Sequence, residues 1–202
     1  MLRILLSGVA GVALALAIGW FVVSRIVGRD DAARPPAQSA AAAGESADRK
    51  IRATLFYVAE DGMRLVAVDR EVPFGEDTVT QAHRLVEAQL GPAPAPLARA
   101  VPDGTAVRNV FVTERGDAFV DLSKEVTTRH SGGSLQELFS VYAIVNALTV
   151  NLPAIARVQI LVDGQEVDTL AGHVDLRSPL RKSYRWVAPP AAQPATPAPA
   201  AP

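Results

Sequence analysis

Residues 4–23 read ILLSGVAGVALALAIGWFVV, a run without a single charged side chain. A helix of that length reaches across the ~30 Å hydrocarbon core of a bilayer. Such a run either stays in a membrane or is removed as a secretion signal; it does not belong to a water-soluble core. Arg3 precedes it, Arg25 and Arg29 follow, and Trp20 sits near one end, where interfacial aromatics are common. A cleavable signal has a shorter apolar region with small residues close behind it. Here the small-residue tract Ala40 to Ala43 lies well beyond that distance. The expectation is therefore an uncleaved membrane anchor over residues 1–28. The arginine count alone favours a cytoplasmic position for the rest of the chain.

Residues 29–50 are rich in Ala, Pro, Ser and charge, with few large apolar side chains, and read as a flexible linker. Residues 188–202, APPAAQPATPAPAAP, read as a disordered, partly polyproline tail. Residues 51–187 remain as one domain of ordinary size. The 49% hydrophobic content is inflated by the apolar start and the alanines, and does not describe that domain. The formal net charge of -1, with acids and bases interspersed, gives no basic footprint for nucleic acid. The absence of cysteine removes disulfides, thiolate metal sites, a Cys nucleophile and a lipidated Cys.

Within the domain the pattern alternates between hairpins and helices. Ala53 to Ala59 and Met63 to Val72 flank Asp61-Gly62, a hairpin signal. Thr78 to Leu90 has helical spacing, with Val79, Ala82, Leu85, Val86 and Leu90 on one face, Thr78 as the cap and Gln81 completing a capping box. Gly91-Pro92 ends it. Val107 to Thr113 and Ala118 to Leu122 form a second hairpin around Arg115-Gly116. A loop, Thr127 to Gly133, leads to a long helix ending near Val150, capped by Ser134 with Glu137 as its box partner. Its apolar stripe is Leu135, Leu138, Phe139, Tyr142, Val145 and Leu148. Arg157 to Val162 and Glu166 to Leu170 form a third hairpin around Asp163-Gly164. This order predicts an α+β fold, strand hairpins with two helices packed on a sheet.

Several tracts resemble a known family. Leu161-Val162-Asp163-Gly164, followed by Thr169-Leu170-Ala171-Gly172-His173-Val174-Asp175-Leu176, is similar to the C-terminal signature of GerMN (sporulation and spore germination) domains. Ala118-Phe119-Val120-Asp121-Leu122-Ser123 resembles the family's VDLS strand end. Ser131-Gly132-Gly133-Ser134 before a helix with Tyr142, Ile144, Val145, Asn146 and Leu148 also fits, as does Arg70-Glu71-Val72-Pro73. The resemblance implies a GerMN-like domain of the bacterial envelope, carried outside the cytoplasm by a signal or anchor. On that ground the expected location is the inner (cytoplasmic) membrane, single-pass, with the domain extracytoplasmic, against the arginine count. It also implies a binding or assembly module without enzymatic activity or cofactor.

The family-like residues expected to have a structural or binding role are Asp121, Ser123, Gly132, Gly133, Asp163, Gly164, Gly172, His173 and Asp175. None is expected to be catalytic or to hold a metal: His83, His130 and His173 lack the spacing of a zinc site. His130-Ser131 lacks a GxSxG turn, and the Walker lysine is absent after Gly132-Gly133-Ser134. The aspartates are expected to fix turns by accepting backbone N–H groups. The expected partners are the membrane, an envelope protein or peptidoglycan, and a second copy of the chain by strand addition. The rival reading is an envelope hydrolase acting on glycan or peptide through Asp121, Asp175 or His173.

Overall fold

The computed structural model describes residues 49–189. The expected anchor, nearly all of the linker and all but the start of the tail lie outside the described residues. Among the described residues no helix is long and apolar enough to cross a membrane.

The first hairpin forms as expected: β1 (Lys50–Val58) pairs antiparallel with β2 (Leu65–Pro73). Gly62 takes the positive φ of 69° that the turn needs. Then follow α1 (Thr78–Leu90), β3 (Val107–Val112), β4 (Asp117–Leu122), a single-turn helix α2 (Glu125–Thr128), α3 (Ser134–Asn151), β5 (Arg157–Val162) and β6 (Gln165–Glu166). The class is α+β, and the strands divide into two sheets, β1-β2 and β3-β4-β5-β6.

Three local expectations change. The second and third hairpins are joined, because β4 and β5 pair in parallel. A parallel pair requires a long crossover, and α2 with α3 supplies it. The third hairpin is short: β6 has two residues, and residues 167–176 form a loop whose Leu170 and Leu176 are buried. Part of the expected Thr127–Gly133 loop is the end of α2.

Both capping boxes give way to other arrangements. Asp77, not Thr78, caps α1, accepting the N–H groups of Val79 and Thr80 at 2.8 and 2.9 Å. The hydrogen bond that the Thr80 hydroxyl donates to the Asp77 carboxylate, more than those N–H bonds, holds that carboxyl below the ordinary aspartate range. Gly133 stands at the cap of α3 with a φ of 91°, and Ser134 opens the helix. The apolar face of α1 is narrower than its spacing predicts: Val79 is exposed, whereas Gln81 and Gln89 are buried beside Ala82, Leu85 and Val86. From Phe139 onward α3 is buried on almost every side, touching β1 of one sheet, β5 of the other, and α1.

Four helix amides clamp neighbouring backbone. Gln89 accepts the Phe56 N–H at 2.9 Å and donates to the Phe56 carbonyl at 2.7 Å. Asn151 treats Thr54 in the same way, at 2.8 Å for both bonds. Asn146 clamps both backbone groups of Ser183, and Gln81 takes the Gly75 N–H and the Pro73 carbonyl. A primary amide carries one acceptor and two donors, so each side chain can stand in for a neighbouring strand. Gln89 and Asn151 thereby satisfy the outer edge of β1, which would otherwise bury unpaired backbone.

Among the described residues two buried hydroxyls are left over, those of Tyr57 and Thr105. The Tyr57 hydroxyl is buried with no hydrogen-bond partner, and burial pushes its pKa up. A buried hydroxyl without a partner costs about 1–3 kcal/mol. Tyr57→Phe is therefore expected to match wild type or exceed it by up to about 1 kcal/mol in urea unfolding. A loss larger than that would mean the hydroxyl has a partner.

Candidate functional site

The loop after β6 is organised by Glu137. This side chain in the first turns of α3 is fully buried. Its carboxylate accepts the N–H groups of Leu170, Ala171 and His173 at 2.8, 2.9 and 2.7 Å. The His173 ring adds Nδ1 at 3.2 Å. Burial alone would raise the Glu137 pKa, but the N–H bonds from Ala171, His173, Leu170 and Val174 outweigh it and hold the carboxyl below its ordinary value. So the His173 region is a backbone cradle around a buried anion. Glu137 carries more of it than the histidine does, and reading it as a cap partner concealed this. The available signal was an acid set among Leu135, Leu138, Phe139 and Val141 on a buried helix.

Asp121, Asp163 and Gly164 meet elsewhere. Asp121, at the end of β4, accepts the Gly164 N–H at 2.7 Å and lies 3.4 Å from the Arg108 guanidinium. Arg108 also pairs with Asp163, which holds a φ of 49° in the β5–β6 turn. Ser123 pins the chain next to β3: its Oγ accepts the Ala106 N–H at 3.0 Å, and its own N–H donates to the Ala106 carbonyl. Arg108 was not foreseen as a member, because nothing local ties β3 to a turn 55 residues later.

Gly132 and Gly133 have φ values of 80° and 91°, which suit glycine, and they lie beside a groove of about 400 Å³. Its walls include Ala98, Arg99, Arg129, His130, Gln136 and Ser140. The ring of His130 faces Ser140 rather than its neighbour Ser131. The Gly132 N–H donates to Nδ1 at 3.1 Å, which places the ring proton on Nε2, 3.2 Å from the Ser140 oxygen. Ser140 in turn donates to the Ala100 carbonyl at 2.6 Å. A base that activates serine must offer a bare nitrogen to the hydroxyl, and this pair is wired the opposite way. Burial first, and His173 to a lesser extent, hold the His130 pKa below the usual histidine range, against the pull of Glu137.

Gly172 has a φ of 94° and donates its N–H to Thr169 Oγ1 at 3.0 Å. Asp175 accepts the Arg177 N–H, Nε and Nη2 at 3.0, 2.9 and 2.7 Å. The Arg177 side chain, more than its backbone N–H, lowers the Asp175 carboxyl to about 2. Arg177→Ala is expected to return it toward the ordinary aspartate value near ~3.9, followed by NMR titration; an unmoved midpoint would contradict that cause. His173 and Asp175 line one shallow recess of about 190 Å³, and Asp121 is not part of it. His83 lies 3.6 Å from Glu87 on the outer side of α1. Among the described residues no group of three or more His, Asp or Glu side chains is placed to hold a metal ion.

The sequence model of the Germane family, described as sporulation and spore germination, matches residues 54–168, more than half of the chain. The protein belongs to the Germane family. The Germane domain begins in β1 and ends just before the loop that Glu137 holds. Two solved structures share its fold. One is the tandem GerMN domains of the sporulation protein GerM from Bacillus subtilis, 23% identical with a TM-score of 0.54, covering 65% of this chain and 46% of that one. The other is the first GerMN domain of the same protein, 22% identical with a TM-score of 0.51, covering 65% of this chain and 97% of that one. The chain thus spans about half the length of the tandem structure and matches a single domain almost throughout. A comparison with curated proteins gives no match.

Proposed function

We propose that this Germane-family protein is a membrane-tethered interaction module of the bacterial envelope. Residues 1–28 anchor it in the inner membrane, and the domain lies outside the cytoplasm and binds an envelope protein or peptidoglycan without turning it over. One observation supports reading the domain as one that does not turn its partner over. The polar residues of the family-like tracts are already engaged in holding the chain: Glu137 by three loop N–H groups, Asp121 by Gly164 and Arg108, Asp175 by Arg177. Asp121 lies outside the recess that His173 and Asp175 line, so the three do not converge on one glycan or peptide bond, and both carboxylates are taken up by partners of the chain itself. The anchored half rests on the uncharged run from Ile4 to Val23.

Two measurements test the halves separately. A periplasmic reporter fused after Val187 should be active, and an inactive one would place the domain in the cytoplasm. Crosslinking in living cells should yield a discrete adduct with an envelope protein or with wall material. Uncrosslinked protein throughout growth and spore formation would remove the support for an interaction role.

A further inference from the structure

Four strand edges bound the two sheets, and three are blunted. Gln89, Asn151 and the Val58–Ala98 bridge close the outer edge of β1. The strand β6 has only two residues, and a register shift between Val107 and Asn109 interrupts β3. Short edges and bulges are ordinary ways of preventing further pairing.

The outer edge of β2 is different. Thr54, Phe56 and Val58 turn their backbone groups away from β2. Their partners in the register, Asp69, Ala67 and Leu65, therefore turn theirs away from β1, and Glu71 follows two residues on. Leu65 is served: its N–H donates to the Trp186 carbonyl at 2.8 Å, and its own carbonyl accepts from Ala188 at 2.7 Å. This is the start of a parallel ladder. Its next donor, to the Ala67 carbonyl, would be residue 190, which is proline and has no N–H. Ala67, Asp69 and Glu71 are exposed, and among the described residues their outward backbone groups have no partner.

We propose that this edge, Ala67 to Glu71, binds an extended segment of a second protein as an added strand, one in which basic residues alternate with apolar ones. The proposal rests on the interaction-module reading and names its surface. Three outward N–H and C=O pairs at alternate residues recognise a strand and nothing else of similar size. Asp69 and Glu71 flank the edge on the solvent face; Asp69 accepts the Thr54 hydroxyl at 3.0 Å and Glu71 pairs with Lys50 at 3.2 Å, and the second oxygen of each carboxylate favours Lys or Arg opposite it. Val66 and Val68, half-buried on the other face, favour apolar neighbours. A second copy fits poorly: the one antiparallel register that uses all three residues sets Asp69 against its own counterpart, and like charges directly opposed are destabilising.

Edge charges can also serve only to keep sheets apart, and the experiment separates the two roles. The full chain is titrated in detergent with the peptide Lys-Val-Lys-Val-Lys-Val, and with Lys-Lys-Lys-Val-Val-Val of the same composition. The alternating peptide should slow amide exchange at Ala67, Asp69 and Glu71 by about ten-fold or more, leaving the β1 amides unchanged. The double variant Asp69→Lys, Glu71→Lys should weaken binding by about ten-fold, and Ala67→Pro should weaken it through loss of one outward N–H. Unprotected edge amides, or equal binding of both peptides, would overturn the proposal. So would protection without peptide that rises with protein concentration, which would identify a second copy as the occupant. In cells, photocrosslinkers replacing Ala67, Phe111 or Gln136 distinguish the levels. Adducts from Phe111 or Gln136 alone overturn the edge and leave the interaction reading standing; no adduct from any of the three positions overturns both.

Discussion

Replacing Glu137 with glutamine is expected to cost about 2–4 kcal/mol in chemical unfolding at pH 7, because hydrogen bonds to a charged group contribute about 1.5–3 kcal/mol each and three N–H groups converge on this one carboxylate. A glutamine oxygen can keep the Leu170 and Ala171 bonds. Its NH2 would then face the His173 N–H, donor against donor. Total stabilities of single domains are about 5–15 kcal/mol, so the variant should be visibly weakened. Leu170 and Leu176 are core residues on the loop the carboxylate secures, so their burial loosens with it. The sign of the pH effect follows from the lowered pKa. The stabilisation is fully present above the unfolded glutamate value near ~4.3 and is lost as pH falls through the lower folded value. The gap between wild type and variant should narrow below about pH 4. An equal gap at pH 7 and pH 3 would mean that the charge is not what matters.

The second large effect is expected at Gln89. Gln89→Leu keeps the bulk of the side chain and removes both bonds to Phe56, leaving a buried N–H and a buried carbonyl unpaired. Each such group costs about 1–3 kcal/mol, and better burial of the leucine offsets part of it, for a net loss of about 2–4 kcal/mol. Gln89→Glu provides the control. Its carboxyl must remain protonated to donate to the Phe56 carbonyl, so its folded pKa is raised. That variant should be most stable below the unfolded carboxyl value near ~4.3 and lose stability as pH rises toward the folded value. Urea midpoints between pH 4 and 8 measure this. If Gln89→Leu unfolds like wild type, the edge of β1 does not depend on the amide.

These residues also show why the sequence revealed some features and concealed others. The Asp61-Gly62 and Asp163-Gly164 turns were legible because a turn is a local event, fixed by glycines at positive φ. The span of α1 was legible because its apolar repeat and Gly91 are local as well. The parallel pairing of β4 with β5 was not, since no residue in either strand records which neighbour lies beside it. The backbone-clamping amides were hidden for the same reason. Gln81 fitted a capping box, and nothing local to Gln89, Asn146 or Asn151 names the backbone each one clamps in the folded chain. Glu137 fitted a familiar local pattern, the capping box, while its actual partners lie 33 to 36 residues away. For the family-like tract around His173, sequence located the place, and the structure shows that backbone amides and a buried acid make it.

The most direct test asks whether the polar residues of the family-like tracts hold the domain together or act on something. Purified peptidoglycan is incubated with the full chain and with its Asp121→Ala, His173→Ala and Asp175→Ala variants, and thermal unfolding is measured on the same samples. Wild type and variants alike are expected to release no soluble wall fragments, with Asp121→Ala melting at a lower temperature because the Gly164 N–H loses its acceptor. Fragment release by wild type, abolished in a variant whose melting curve is unchanged, would contradict it.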